Sequence, residues 1–203
     1  MAINEFADLY LEDELVLQEL YYAYKQELSS YDIQSTKGKV IQYRRVEGDH
    51  GIQFEKKYFR LQEEPFFRLV MFSIEIMREM LPLGTVVELN PRYFLPEQST
   101  SSPTKVVITE RFIVPTGYQT YFPYGGVIYP VGELKKDATI YFTEPLITNV
   151  VHTGYRDEME EAFELLIKED LLVKENRRSI EFSTEDMKGL QSEMEAKERA
   201  GER

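Results

Sequence analysis

The chain has 203 residues, 36 acidic against 24 basic side chains for a net charge of −12, and neither Cys nor Trp. Without Cys there can be no disulfide, thiolate zinc site, iron–sulfur cluster or Cys nucleophile, and His50 and His152, the two histidines, leave little for a metal site. The negative charge opposes nucleic-acid phosphates and anionic lipid surfaces at long range.

Hydrophobic residues at 42%, with 14 Tyr and 12 Phe, supply enough apolar surface to offset the entropy of ordering one domain plus appendages. No apolar run approaches the roughly 18 to 20 residues needed to cross a bilayer, and the opening stretch MAINEFADLYLEDEL is acidic where a leader would be basic and then apolar. A cytoplasmic protein without a membrane span is expected. The charge sits at the ends: residues 1–29 hold seven acids and one base, 30–155 hold 14 of each, and 156–203 hold 15 acids and nine bases.

Asn4 or Asp8 is placed to cap a helix running to about Leu28, because Leu17, Leu20, Tyr21, Tyr24 and Leu28 recur at three- and four-residue steps. Val40–Val46 and Ile52–Leu61 alternate as strands do around the turn residues EGDHG, which predicts a hairpin. Pro65 suits a first helical turn, and Phe66–Met80 is apolar on most sides, as a core helix should be, until Pro82 and Gly84 stop it.

Five short β-branched or aromatic runs follow: Thr85–Leu89, Lys105–Val114, Gly126–Tyr129, Thr139–Phe142 and Leu146–Tyr155. The polar, proline-bearing stretch Asn90–Thr104 reads as an insertion or a functional loop. Acids at 157–161 open a helix to about Asp170, and Ser183 with Asp186 resembles a capping box for a last helix to about Lys197. The pattern predicts an α+β fold, a small antiparallel or mixed sheet flanked by N-terminal and C-terminal helices. It divides into residues 1–80, an α+β domain at 81–170 and an acidic extension at 171–203.

No glycine loop with phosphate-cradling spacing and Lys follows a strand, and no G-x-S-x-G elbow accompanies either His. Glu63, Glu64 and the acids at 157–161 all precede helices, where the macrodipole alone favours them. These absences predict a non-enzymatic chain without cofactor or metal. Surface for partners remains. Tyr21, Tyr22 and Tyr24 spread too widely in angle for one core stripe, and Tyr suits interfaces by joining large area to a polar tip. In the last helix only Met187, Leu190 and Met194 are apolar, a stripe whose burial does not clearly exceed the cost of ordering the segment, so docking on a partner and fraying both stay open.

Four motifs then occur in a set order: LPLGTVVEL at 81–89, KVVITERF at 105–112, YGGVIYPVGEL at 124–134 and IYFTEPLITNVVHTGY at 140–155, followed by the acidic helix DEMEEAFELL. Over residues 81–165 this resembles a small domain encoded in Gram-positive type VII (Ess-type) secretion loci beside LXG polymorphic toxins. The shared positions Gly84, Gly126, Tyr129, Pro130, Gly154 and Tyr155 read as turn glycines and packed aromatics, with no catalytic residue among them.

The resemblance implies a toxin, an immunity protein, a small helical export partner or a chaperone-like factor. Zero Trp and a β-rich middle disagree with a Trp-x-Gly helical hairpin, and neither catalytic chemistry nor a pore-forming hairpin supports a toxin. What it implies is a chaperone or adaptor for an LXG-type toxin, with an immunity protein or a structural or regulatory component of the locus as alternatives. A homodimer stays open as an assembly.

Overall fold

The computed structural model describes residues 1–91, 103–133 and 138–201 and, within the last helix, every side chain except those at 194, 195 and 197–201. Most of the Asn90–Thr104 insertion therefore lies outside the described residues. The chain forms two compact units, Met1–Glu79 and Met80–Arg203, and both are α+β.

The first unit opens with two helices, α1 (Ala2–Tyr10) and α2 (Glu14–Lys25), where the spacing predicts one. Asp13 makes the break. Its carboxylate accepts a hydrogen bond from Val16 N at 3.4 Å as the cap of α2, and others from Thr36 N at 2.9 Å and Thr36 Oγ1 at 2.7 Å. A carboxylate satisfied three ways while 6% exposed stays where it is. Asn4 and Asp8, the expected caps, fall inside α1, whose cap position is Met1.

Four strands follow, β1 (Ser30–Gln34), β2 (Val40–Val46), β3 (Asp49–Phe54) and β4 (Lys57–Leu61), joined in that order as an antiparallel meander in place of the expected hairpin. The run Ile52–Leu61 divides because Glu55 takes the left-handed φ of 50° and turns the chain. Ile33, Ile41, Tyr43, Ile52 and Phe54 are buried on one face. Helix α3 (Glu63–Met77) adds Phe66, Val70, Met71 and Ile74. It stops three residues before the expected Met80 because Arg78 is already extended.

His50 sits at the centre of this unit with no exposed surface. Its ring stacks on Phe66 at 4.4 Å and 10°, its Nδ1 shares a 2.8 Å hydrogen bond with the Tyr43 hydroxyl, and Tyr24 lies 5.5 Å away. Burial pushes the Tyr43 hydroxyl up to about 12. Burial, with Arg45 acting in the same direction against smaller pulls from Glu63 and Asp49, holds the His50 pKa below its ordinary value.

The second unit is a mixed sheet built from β5 (Val86–Leu89), β6 (Thr104–Ile113), β7 (Thr120–Ile128), β8 (Ile140–Phe142), β9 (Ile147–His152) and β10 (Arg178–Ser179). The order is β10-β7-β6-β5-β9, with β8 also on β7; β10 joins β7 in parallel and the remaining pairs are antiparallel. Val87, Leu89, Val106, Ile108, Tyr124 and Phe142 are fully or almost fully buried. Helix α4 (Glu158–Lys168) passes into a π-helical turn, Glu169–Lys174, in which Leu171 and Leu172 are both buried. Helix α5 (Thr184–Gly201) closes the chain, its first turn capped by Ser183 Oγ accepting from Asp186 N. Among the described residues no helix is long and apolar enough to cross a membrane.

A histidine kept neutral by burial contributes stability that is complete above the ordinary value near 6.5 and is lost as pH falls through it, because the unfolded chain then binds the extra proton. Urea midpoints of the first unit's unfolding, read in the full chain between pH 7.5 and 5.5, are therefore expected to fall with pH in the wild type and to flatten in a His50→Gln variant. Parallel slopes in the two proteins would show that His50 is not the linked group.

Candidate functional site

Of the motif positions, the three glycines gather into one structural knot. Gly84 has φ 82° and donates its N–H to Ile108 O at 2.8 Å. The neighbouring Thr85 hydroxyl donates to Pro82 O at 2.7 Å and accepts from Gly154 N at 3.0 Å. A Cβ at Gly154 would stand 2.1 Å from Leu83 O, and one at Gly126 would stand 2.4 Å from Val107 O. These glycines are there for close backbone approach. Tyr129 and Tyr155, expected as packed aromatics, are 54% and 81% exposed instead, since Tyr129 follows the end of β7 and Tyr155 lies in the link to α4.

The other candidates separate. Tyr24 belongs to the aromatic cluster with His50, Phe66 and Phe67 and donates to Glu63 Oε1 at 3.4 Å, which makes it a packing residue. Tyr22 is half exposed and leans on Tyr31, and Tyr21 lies under the Lys25 ammonium at 5.8 Å. The three do not form one patch. Met187 is exposed, Leu190 is half-buried, and the side chain of Met194 lies outside the described residues. The α5 segment that carries them is tied down by the Tyr118 hydroxyl, which donates to Glu193 Oε1 at 2.7 Å. His152 stands exposed on β9. Glu63 and Glu64 occupy the first turn of α3, and Asp157 caps α4 by accepting from Glu160 N at 3.0 Å.

What periodicity missed is the orientation of α4. Glu164 and Lys168 are its buried residues, whereas Met159 is 81% exposed, Leu165 70%, Leu166 61% and Phe163 49%. The helix lies with its charged side inward. Lys168 Nζ reaches Glu164 Oε1 at 2.7 Å, Arg156 Nη2 reaches Glu164 Oε2 at 3.2 Å, and Met80 N donates to Glu164 Oε1 at 3.1 Å. Arg156 also donates to Met80 O at 3.1 Å. One turn earlier Glu160 pairs with Arg111, whose side chain is 4% exposed and whose guanidinium also lies 5.8 Å from the Phe163 ring. The β6–β7 ladder slips between Ile108 and Glu110, just before Arg111, and such bulges re-aim side chains.

Met159, Ala162, Phe163 and Leu166 recur at the steps of one helical face, so the uncovered side is a continuous apolar stripe. Large contiguous apolar surface of this kind marks interaction sites. A second uncovered element is β9, the last strand of the sheet path, with Val150 and Val151 40% and 46% exposed and no charged residue in ITNVVH. Among the described residues no group of three or more His, Asp or Glu side chains is placed to hold a metal ion. The sequence signal for the inverted helix was a pairing pattern: Glu164 with Lys168 at i,i+4, and Arg156 just before the helix.

Residues 80–163 match the model of a family described as a domain of unknown function (DUF4176), about two-fifths of the chain, from the first residue of the second unit into the middle of α4. No curated protein and no solved structure matches the chain. The family description names no activity, location or partner.

The inverted helix makes opposite demands on its two sides. Glu164→Leu strands Lys168 and Arg156 without their shared carboxylate and is expected to cost about 3 kcal/mol or more. Met159→Ser and Leu166→Ser, at exposed positions, are expected to fall within about 0.5 kcal/mol of wild type. Denaturant midpoints of the three variants check this, and a reversed ranking would mean that the apolar side is the buried one.

Proposed function

We propose that this chain is a non-catalytic binding protein, a chaperone or adaptor that holds an LXG-type toxin soluble and competent for type VII export, and that the client docks on the exposed apolar side of α4. The observation that carries the reading is the inversion of that helix: four large hydrophobic side chains face outward while its Glu164 and Lys168 are buried, with the part-buried Arg156 against Glu164. A helix that served the fold alone would bury Met159, Phe163 and Leu166, each worth about 1.5–3 kcal/mol when fully covered. An arriving partner recovers that free energy.

The client is suggested by the resemblance of residues 81–165 to domains encoded beside such toxins. The acidic ends of the chain fit the same role, since charge outside the contact core mainly speeds encounter with an oppositely charged partner while covered apolar side chains set the affinity. Cytoplasmic action follows from this reading, because a toxin has to be held before it is exported.

Co-expression with the products of its own locus is expected to yield a complex with the toxin that Phe163→Ser combined with Leu166→Ser abolishes, while circular dichroism stays that of the wild type. Deleting the gene is expected to stop secretion of the toxin and leave the producer alive. A producer killed by its own toxin with export intact would instead make this an immunity protein. Normal export, a healthy producer and no complex would rule out both.

A further inference from the structure

We infer that the partner segment recognised by α4 is itself an amphipathic helix whose apolar stripe is bordered by Lys or Arg, an inference that rests on the docking role proposed above. The shape of the surface selects a helix. Met159, Ala162, Phe163 and Leu166 follow an i, i+3, i+4, i+7 course along Glu158–Lys168, about 16 Å of axis, and present the ridge-and-groove surface into which a second helix packs. Ala162 leaves a low point between larger neighbours, where a facing side chain can come close. Met159, the most exposed of the group, is unbranched and adapts to the surface it meets.

The charge beside the stripe selects the sign. Glu158 is exposed beside the stripe on the first turn of α4, and Glu161, exposed further round the helix, pairs with Arg156 at 3.7 Å. At the far end Glu169 and Asp170 are exposed too, with Lys174 reaching both, at 3.2 Å and 2.7 Å. Lys168, the one basic residue of α4, is turned inward onto Glu164, and Arg156 and Arg111 are engaged with Glu164 and Glu160. The outer border of the stripe is therefore acidic, partly compensated by Lys174 and by the part-buried Arg156, while Lys168 and Arg111 are spent beneath the helix.

A second copy of this chain would bring acid against acid around the same stripe, at a net charge of −12 per chain. A helix bordered by bases gains there instead. The buried cluster thus serves recognition as well as packing, because it draws Lys168 and Arg111 away from the docking surface, where they would weaken its preference for a cationic partner.

The test uses two synthetic helical peptides about 18 residues long, five helical turns. Both carry the same Leu stripe, one bordered by Lys and the other by Glu, and each is titrated into the full chain by fluorescence anisotropy. The Lys-bordered peptide is expected to bind, to weaken about tenfold or more against Met159→Ser with Leu166→Ser, and to weaken again as salt rises. The Glu-bordered peptide is expected to bind far more weakly. Equal binding of the two peptides, binding of the Lys-bordered peptide that survives the serine substitutions, or a homodimer that those substitutions dissolve would each overturn the inference. All three leave the docking role itself intact. That role fails separately, if the Phe163→Ser, Leu166→Ser chain captures the toxin as well as the wild type does.

Discussion

A carboxylate that is 5% exposed has to be surrounded by donors, and Glu164 has three: the ammonium of Lys168, the guanidinium of Arg156 and the backbone N–H of Met80. Those donors fix much of the second unit. Lys168 sits one turn along the same helix, Arg156 is just before its start, and Met80 is the first residue of the unit, so one side chain ties together segments that are 84 positions apart in the chain. Removing it would leave two cations in a poorly solvated place, which is why the cluster is costly to break even though such clusters add little to net stability. Its consequence is directional. With Glu160, Glu164 and Lys168 committed inward, the geometry of the α-helix puts Met159, Phe163 and Leu166 outward.

That division of labour explains why a surface so apolar can be carried at all. The fold draws its core from the strands, with Val87, Leu89, Val106, Ile108, Tyr124 and Phe142 filling the interior, and draws Leu171 and Leu172 from the π-helical turn after α4. Helix α4 itself is held by charge, leaving its apolar side available to another molecule. The knot of Gly84, Thr85 and Gly154 supports the arrangement from the other end of the motif region, where the Leu83 backbone approaches Gly154 too closely for a side chain there. The matched family region runs from Met80 to Phe163, so it contains both the knot and the first half of the inverted helix.

The first unit follows a different logic. Its interior is aromatic, with His50 held neutral among Tyr43, Tyr24 and Phe66, and its polar anchor is Asp13, which caps α2 and clasps Thr36. Both are single buried polar groups, Asp13 accepting three hydrogen bonds and His50 bonded through Nδ1 to Tyr43. They tie the helices to the meander, and the burial of His50 makes the unit sensitive to the protonation of that ring.

Composition and periodicity by themselves determined the α+β class, the flanking helices, the strand-rich region after Thr85 and the start of α4, because those depend on local propensity, capping and turn chemistry carried by neighbouring residues. The resemblance reads the glycines at 84, 126 and 154 as turn positions; Gly84 has the left-handed φ of one, whereas Gly126 lies within β7 and Gly154 against Leu83 O, where close backbone approach excludes a side chain. Tertiary structure decided the rest. The break at Asp13 depends on Thr36, 23 positions away, and the four-stranded meander depends on a turn at Glu55 that no Gly or Pro announces. The outward side of α4 was not legible from its apolar residues, since an apolar stripe is by default the inward face. Arg111 reaches Glu160 from β6, Arg156 reaches Glu164 from the preceding link, and partners so placed are invisible to a periodicity that sees only the helix.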